Sequence, residues 1–552
     1  MAYLLICGLL HGGRVEVAAL LIIMTVVLCQ SREFTDTCDG PNVLDLTGSV
    51  TPREEMKQIP STAELLETVF QKTAPNWWAL GKEMGRDATA IFSHTPSCAP
   101  NTSDFGLMLA WSEIVRQRAE RDDVTLVICN DPWLFRHLAL IEGVEAGKIP
   151  RLWVTVSRQF LRGWLARLKF SAAALLKLIL LRHQRRLAVS GAPTLLAYAN
   201  PNSSSDGVDG YFGDLMSHID NLTRVIHVDG PVSRIRRLTK CERTTSLNAW
   251  GALSSVLKLP WARWRPARRH FNGPYGWLVR RAVSKEGATA QAAAIAWQVD
   301  CQSRWLNQAR PAVVAWPWEN HGWERGFVRQ ARDLGIKSIG YQHSVIGAEM
   351  FNYSPASNPN GLEDLPDDIL CNGQATLNQL FTWGVPADRL EIGGAFRIPK
   401  VRHCRPDPGG QVYLALPFDG ETARQMVDAA LSLIPKNYQF FVKDHPMTPF
   451  EFTERDGLQR THLQFFEIDG LAAVVYAATT VGLVSALAGL PTIRFQPRGI
   501  IALNILPSEV SLPAATEDNL ESALQCAIPS EITRDGIFSP VNMEVWRECL
   551  TV

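Results

Sequence analysis

LAAVVYAATTVGLVSALAGLPTIRF, residues 471–495, reads as a β-strand, a turn with two threonines, a short helix and a second strand. The β-branched and aromatic run 474–476 makes the first strand, and Ala477-Ala478 is small enough for a tight exit. Thr479 or Thr480 caps a helix that runs to Ala488, where Gly489 and Pro491 stop it. Unpaired N–H groups at such a helix start, with Gly482 admitting close approach and Ser485 one turn on, suit an anion. An ordinary N-cap in a βαβ unit has the same pattern, so the reading needs a second strand end.

Two more strand ends supply it. Residues 439–442 form a strand that runs through Lys443 into Asp444-His445-Pro446. Pro446 forces His445 into extended backbone and aims its side chain off the strand end, where it can donate to a phosphate oxygen beside Lys443. A capping histidine in a turn is the alternative. The strand 412–416 leads into Pro417-Phe418-Asp419-Gly420 and a helix from Glu421. Asp419 fits an N-cap and Glu421 would repel an anion, so Asp419 and Gly420 line the site instead of gripping phosphate.

Outward from this region the pattern repeats. Strands are expected at 42–46, 124–129, 194–198, 225–228, 312–316, 338–341 and 369–371. Helices are expected at 107–121, 288–309, 322–334, 374–383 and 421–434. Strand and helix in alternation predict parallel sheets covered on both faces. The fold class is therefore α/β, with two Rossmann-like doubly wound domains facing a cleft. IPKVRHCRPDPGG, residues 398–410, has three prolines and no periodicity and reads as a linker. It divides an acceptor-side domain, residues 36–400, from a nucleotide-binding domain, residues 401–552.

Composition sets bounds. The 552 residues are 46% hydrophobic with zero formal net charge, which suits a folded protein of more than one domain with no global field for a polyanion. Eleven scattered cysteines with no CxxC pair fit neither a disulfide framework nor zinc. Residues 1–35 carry two apolar runs, 1–10 and 17–29, both shorter than the roughly 18–20 residues of a spanning helix. An anchor or leader, a buried strand and helix, or a start codon placed too early would each explain them. Basic runs without acids span 151–186 and 258–285. FLRGWLARLKFSAAALLKLILL, residues 160–181, within an insertion at about 151–190, has the composition of a helix lying in an anionic membrane surface, or of a core helix with a basic flank. Nucleic acid is not expected, since no helix-turn-helix, RRM or zinc pattern is present.

KDHPMTPF at 443–450, followed by a strand, a hydroxyl pair and ALAGLPTIRF, resembles the donor-binding half of GT-B glycosyltransferases. The likeness is to bacterial sialyltransferases, Kdo transferases and teichoic-acid glycerophosphotransferases with His-Pro and Ser/Thr-pair motifs. Residues 315–347 and 365–397 resemble segments of surface-carbohydrate biosynthesis proteins, so the likeness covers roughly 311–497. It implies a nucleotide-sugar donor and a cell-surface polysaccharide or lipid-linked glycan acceptor, handled in the cytoplasm at the inner face of the membrane. His445 and Pro446 would meet nucleotide phosphates or ribose, and Thr479 and Thr480 a phosphate. The chain departs from the pattern in lacking a ribose-holding glutamate after the turn, where Val484-Ser485-Ala486 offers only Ser485. The same fold also serves a CDP-polyol phosphotransferase, a nucleotide-sugar 2-epimerase and a non-catalytic assembly scaffold.

The acceptor side needs a base. Trp316-Pro317-Trp318-Glu319-Asn320-His321 ends a strand with Glu319 and His321 in an aromatic setting, and Gln342-His343-Ser344 ends the next. Burial would raise the Glu319 pKa toward that of a general base, so Glu319 is the expected base, with His343 and His321 as alternatives. A salt bridge from Glu319 to Arg325 is the competing reading. No Asp-x-Asp or paired-histidine metal spacing occurs, so neither metal nor cofactor is expected, and inversion follows from the resemblance.

Overall fold

The computed structural model describes residues 26–31, 42–47, 62–97, 99–121, 123–397 and 402–551. Its strands form three sheets, all parallel. The first holds β1 (Val26–Cys29), β2 (Asn42–Asp45), β3 (Thr125–Ile128) and β4 (Val144–Ala146), in the order β2-β3-β1-β4. Part of the second apolar N-terminal run is thus an inner strand of a small sheet, with Val26 and Leu28 fully buried. The first run lies outside the described residues.

The second sheet holds β5 (Thr194–Ala197), β6 (Thr223–Ile226), β7 (Thr244–Ser246), β8 (Val313–Pro317), β9 (Lys337–Gln342), β10 (Asp368–Cys371) and β11 (Leu390–Ile392). Its order is β11-β10-β9-β8-β5-β6-β7. The third holds β12 (Gln411–Ala415), β13 (Phe440–Lys443), β14 (Leu458–Arg460), β15 (Leu471–Tyr476), β16 (Thr492–Phe495) and β17 (Ala514–Ala515), ordered β14-β13-β12-β15-β16-β17. Both large sheets are doubly wound Rossmann-like units. In each, the first strand in sequence lies inside the sheet and the order reverses there, between β5 and β8 and between β12 and β15. A reversal leaves a crevice at the carboxyl ends of the two strands, because their following connections diverge to opposite faces.

Central strands are solidly apolar, as double coverage requires. Val313–Pro317 is buried at every position, and Leu471–Tyr476 at all but one. The carboxyl edges of the two large sheets meet. Glu349, beyond β9, accepts a hydrogen bond from the Asn504 backbone N–H beyond β16 at 2.6 Å. Burial, with the nearby Glu67 charge adding to it, pushes the Glu349 carboxyl up to about 7. Gly347 sits so close to the same segment that a Cβ there would lie 2.1 Å from the Asn504 carbonyl oxygen. After the third sheet the chain returns to the second: helix Met543–Leu550 buries Trp546, whose indole N–H donates to the Gly393 carbonyl at 2.9 Å. The small sheet's unit is tied in by the Arg494–Glu67 pair and by the Trp111 indole donating to the Gly499 carbonyl. Among the described residues no helix is long and apolar enough to cross a membrane.

Candidate active site at the two switch points

At the β5/β8 crevice the chain leaves Pro317 and turns sharply. Asn320 has φ +56°, a left-handed conformation unusual outside glycine, fixed by its side-chain amide donating to the Asn352 carbonyl and to Asn358. Asn352 in turn donates to the Glu319 carbonyl at 2.6 Å. The turn brings Glu319 and His321 together, with 2.7 Å between Glu319 Oε2 and His321 Nε2. Beneath them, the fully buried Glu324 carboxyl accepts the backbone N–H groups of both residues at 3.0 Å. Burial pushes Glu324 up to about 8.

The expectation that burial would raise Glu319 is overturned. Burial does act upward, but the His321 hydrogen bond and charge outweigh it, and the carboxyl is held at about 2. The converse holds for His321: burial alone would depress it, and the Glu319 hydrogen bond and charge raise it above the ordinary histidine value. His321 Nδ1 is buried at the start of helix Gly322–Asp333, turned toward the Glu324 backbone N–H in a capping box and without a closer hydrogen-bond partner. A histidine held by a carboxylate in this way is the arrangement of an oriented base. With its carboxyl held this low, Glu319 can orient the ring but is a weak base, and His321 is the better placed of the two to accept a proton. Arg325 does not pair with Glu319; its guanidinium is bound by Ser357 and by the carbonyls of Pro96 and Ser97.

His343 joins this cluster from β9. It is buried against Tyr211 at 4.9 Å between ring centroids, its Nδ1 lacks a partner, and burial with the Arg397 charge lowers it to about 3. Two further groups were not legible in the sequence. The His94 ring stands edge-on to His321 at 4.7 Å, and burial, then the His321 charge, lowers it to about 3. It comes from a turn with no periodicity, far earlier in the chain. Arg397 places an exposed guanidinium 4.6 Å above the Tyr211 ring, and among the described residues it has no carboxylate partner. Its one sequence signal is a cation five residues beyond β11, the first of a basic run with Lys400, Arg402 and Arg405. Next to His94 opens a cavity of about 380 Å³ whose walls include His94, Asp104, Lys285, Glu286 and Gln291. A second cavity of about 390 Å³, with Arg86, Trp323 and Arg329 in its walls, includes none of the Glu319 cluster.

At the β12/β15 crevice the expected residues divide. Thr479 follows Ala478, whose φ is +48°, and Thr479 Oγ1 is buried without a partner. Thr480 precedes helix Val481–Leu487 and makes no side-chain cap. Seven residues make two turns, so this helix carries less of a dipole than the sequence pattern suggested. On the other side of β12, the Met447 backbone N–H donates to His445 Nδ1 at 3.3 Å. That bond places the ring proton on Nε2, which is left to donate outward. The His445 ring meets Phe418 edge-on at 5.7 Å, and burial lowers its pKa. Pro446 is exposed, and a Cβ on Gly420 would meet open space. Since β12 lies between β13 and β15, the His445 corner and the threonine turn flank the Phe418–Gly420 loop from either side.

Three expected contacts are corrected and one expected cap is found. Gly482 is small for packing: a Cβ there would fall 2.2 Å from the Tyr476 ring, so no ligand approaches on that side. Ser485 is fully buried and bonded to the Gly482 carbonyl and to Thr492, a core hydroxyl facing away from the turn. The Lys443 ammonium is bound by the His462 carbonyl. Asp419 is the expected N-cap of its helix, accepting from the Thr422 N–H and hydroxyl at 2.7 and 2.8 Å.

No family model and no curated protein matches the chain. Among solved structures it is similar to UDP-GlcNAc 2-epimerase from Neisseria meningitidis bound to UDP-GlcNAc, at 9% identity over 65% of this chain and 99% of that one, with a TM-score of 0.36. It is also similar to the lipopolysaccharide outer core galactosyltransferase WaaB, at 13% identity over 60% and 88% of the two chains and a TM-score of 0.32. A calicheamicin glycosyltransferase matches at 12% identity over 60% and 88%, with a TM-score of 0.35. Overlap this small carries no argument about activity, which rests on the two crevices.

Proposed function

We propose that this chain is a GT-B-type glycosyltransferase that moves a sugar from a nucleotide-sugar donor to a hydroxyl of a cell-surface polysaccharide or lipid-linked glycan. The observation that carries the reading is the Glu319–His321 pair at a switch point, a buried imidazole held by a carboxylate at 2.7 Å and raised in pKa by it. In this reading His321 takes the proton of the acceptor hydroxyl, and Glu319 stabilises the imidazolium that forms. The acceptor oxygen bonds to the anomeric carbon as the bond from that carbon to the phosphate oxygen breaks, with inversion. The nucleotide leaves with the bonding electrons. Its charge is met by Arg397, His445 Nε2–H and the hydroxyls of Thr479 and Thr480. We assign the acceptor to the cavity lined by His94, whose ring stands against His321.

Thermal-shift titration with CMP, CDP, UDP and GDP tests the nucleotide side. One of the four, at a hundred times its Kd, should add about 2.7 kcal/mol of stability. His445→Ala and Thr479→Val should each weaken that ligand roughly tenfold, the loss of about one charge-assisted hydrogen bond. No shift with any of the four, or full affinity in both variants, would overturn the assignment.

A further inference from the structure

Helix Leu152–Leu181 packs one face on the fold and leaves an apolar stripe exposed on the opposite one. Gly163, Arg167, Ser171, Ala174, Leu178 and Leu181 form the buried face, at spacings of three and four. That face packs on the rest of the domain, with Arg167 donating to the carbonyls of Pro260 and Ala288. At about 100° per residue, Val154, Leu161, Leu165, Leu176 and Ile179 project within an arc of about 60° on the far side. All but Val154 of these are more than half exposed, at 57, 53, 53 and 58%.

Exposed apolar side chains also occur next to the helix. The segment packed beside it exposes Leu253, Leu257 and Trp261, at 63, 72 and 62%. At the helix start Trp153 and Phe160 are also more than half exposed. Scattered exposed apolar residues are ordinary on a protein surface; five aligned along one face of a helix are not.

Charge selects the occupant. Between Glu145 and Asp206 the chain has no acidic residue and ten lysines and arginines. Exposed Arg158, Arg162 and Lys169 run along one edge of the stripe. A second copy docked face to face would set these cations against their own counterparts with no carboxylate between them. An anionic lipid surface satisfies both features at once, since apolar side chains enter the acyl boundary while Arg and Lys meet headgroup phosphates. The five lysines and arginines of the helix keep it from spanning, so it lies in the surface plane.

We infer that helix Leu152–Leu181, with the segment carrying Leu253, Leu257 and Trp261, is a docking surface for an anionic membrane. The inference does not depend on the transferase reading, and its test involves no turnover.

The experiment is flotation of the full chain with phosphatidylcholine vesicles, with and without about 30 mol% phosphatidylglycerol. The protein should float with the anionic vesicles and much less with neutral ones, and added salt should weaken capture. Leu161→Ser/Leu165→Ser/Leu176→Ser should lower binding roughly tenfold or more through lost apolar area. Arg158→Gln/Arg162→Gln/Lys169→Gln should lower it by a similar factor on anionic vesicles alone. All six side chains are solvent-facing, so parent-like thermal melts show that the variants still fold. Absence of capture by anionic vesicles would overturn the inference. So would a dimer in sedimentation that the leucine variant dissociates, which assigns the stripe to a second copy.

Discussion

His321→Asn should lower kcat for sugar transfer by roughly 10²–10⁴-fold, the usual contribution of a positioned general base. Donor affinity should stay within about twofold, because the base side of the cleft acts on the acceptor. Asparagine keeps much of the size of the ring and can still bond Glu319, so a fall in rate at constant donor affinity separates base catalysis from support of the fold. The pH profile provides an independent readout. A base works as the neutral imidazole, so activity rises with pH through the pKa of His321. Glu319 raises that value above the ordinary 6.5, which sets the acid limb of kcat/KM above 6.5. Glu319→Gln removes the charge that causes the shift, so the limb should move to lower pH while the rate falls. An unmoved limb in Glu319→Gln, or parent-like kcat in His321→Asn, would remove the pair from the mechanism.

Arg281→Met should cost the fold about 3–5 kcal/mol, the range for breaking a buried ion pair from one side. The Arg281 side chain is 1% exposed and binds Asp104 through both Nη atoms at 2.6 Å and Asp131 through Nε at 2.7 Å. Asp104 precedes helix Phe105–Ala119, Asp131 caps helix Pro132–Leu138, and Arg281 stands on helix Gly276–Lys285, so one guanidinium pins three helices. Methionine fills much of the volume but leaves Asp104 with only the partly exposed Lys285. The effect has a definite sign with pH. Burial pushes the Asp104 carboxyl up, and the Arg281 hydrogen bonds and charge hold it well below the usual range. That stabilisation is present above the unfolded-state pKa, 3.8, and is lost as pH falls beneath it. Denaturant melts should show the full gap between parent and variant at pH 7 and a narrowing gap below pH 3.8. A gap under about 1 kcal/mol at pH 7 would mean that the network contributes no more than a surface pair.

Inner strands were legible because burial on both faces demands unbroken apolar runs, and every strand read from the sequence has a counterpart. The strands that escaped notice are mostly sheet edges. Val144–Ala146, Thr244–Ser246, Leu390–Ile392, Leu458–Arg460 and Ala514–Ala515 are three residues or fewer and have no period to detect. The small first sheet was hidden further by its connections, with the long stretch from Asp45 to Thr125 between paired strands β2 and β3.

At the site, residue types and strand ends could be read, but not which way the side chains turn. Glu319 and His321 were both found, yet their roles depend on the left-handed turn at Asn320 and on Glu324 below it. Gly482 and Ser485 matched a phosphate turn in pattern and proved to serve packing against Tyr476 and Thr492. His94 could not have been found from sequence, since only tertiary folding brings it against His321.

The central claim is that a nucleotide sugar lies between the carboxyl edges of the two large sheets, and hydrogen–deuterium exchange of the full chain with and without the best-bound nucleotide tests it most directly. Protection should appear at 416–420, 444–447 and 478–482, and should fade in His445→Ala. Protection confined to other segments, or a nucleotide that binds and leaves all three loops unchanged, would contradict the account.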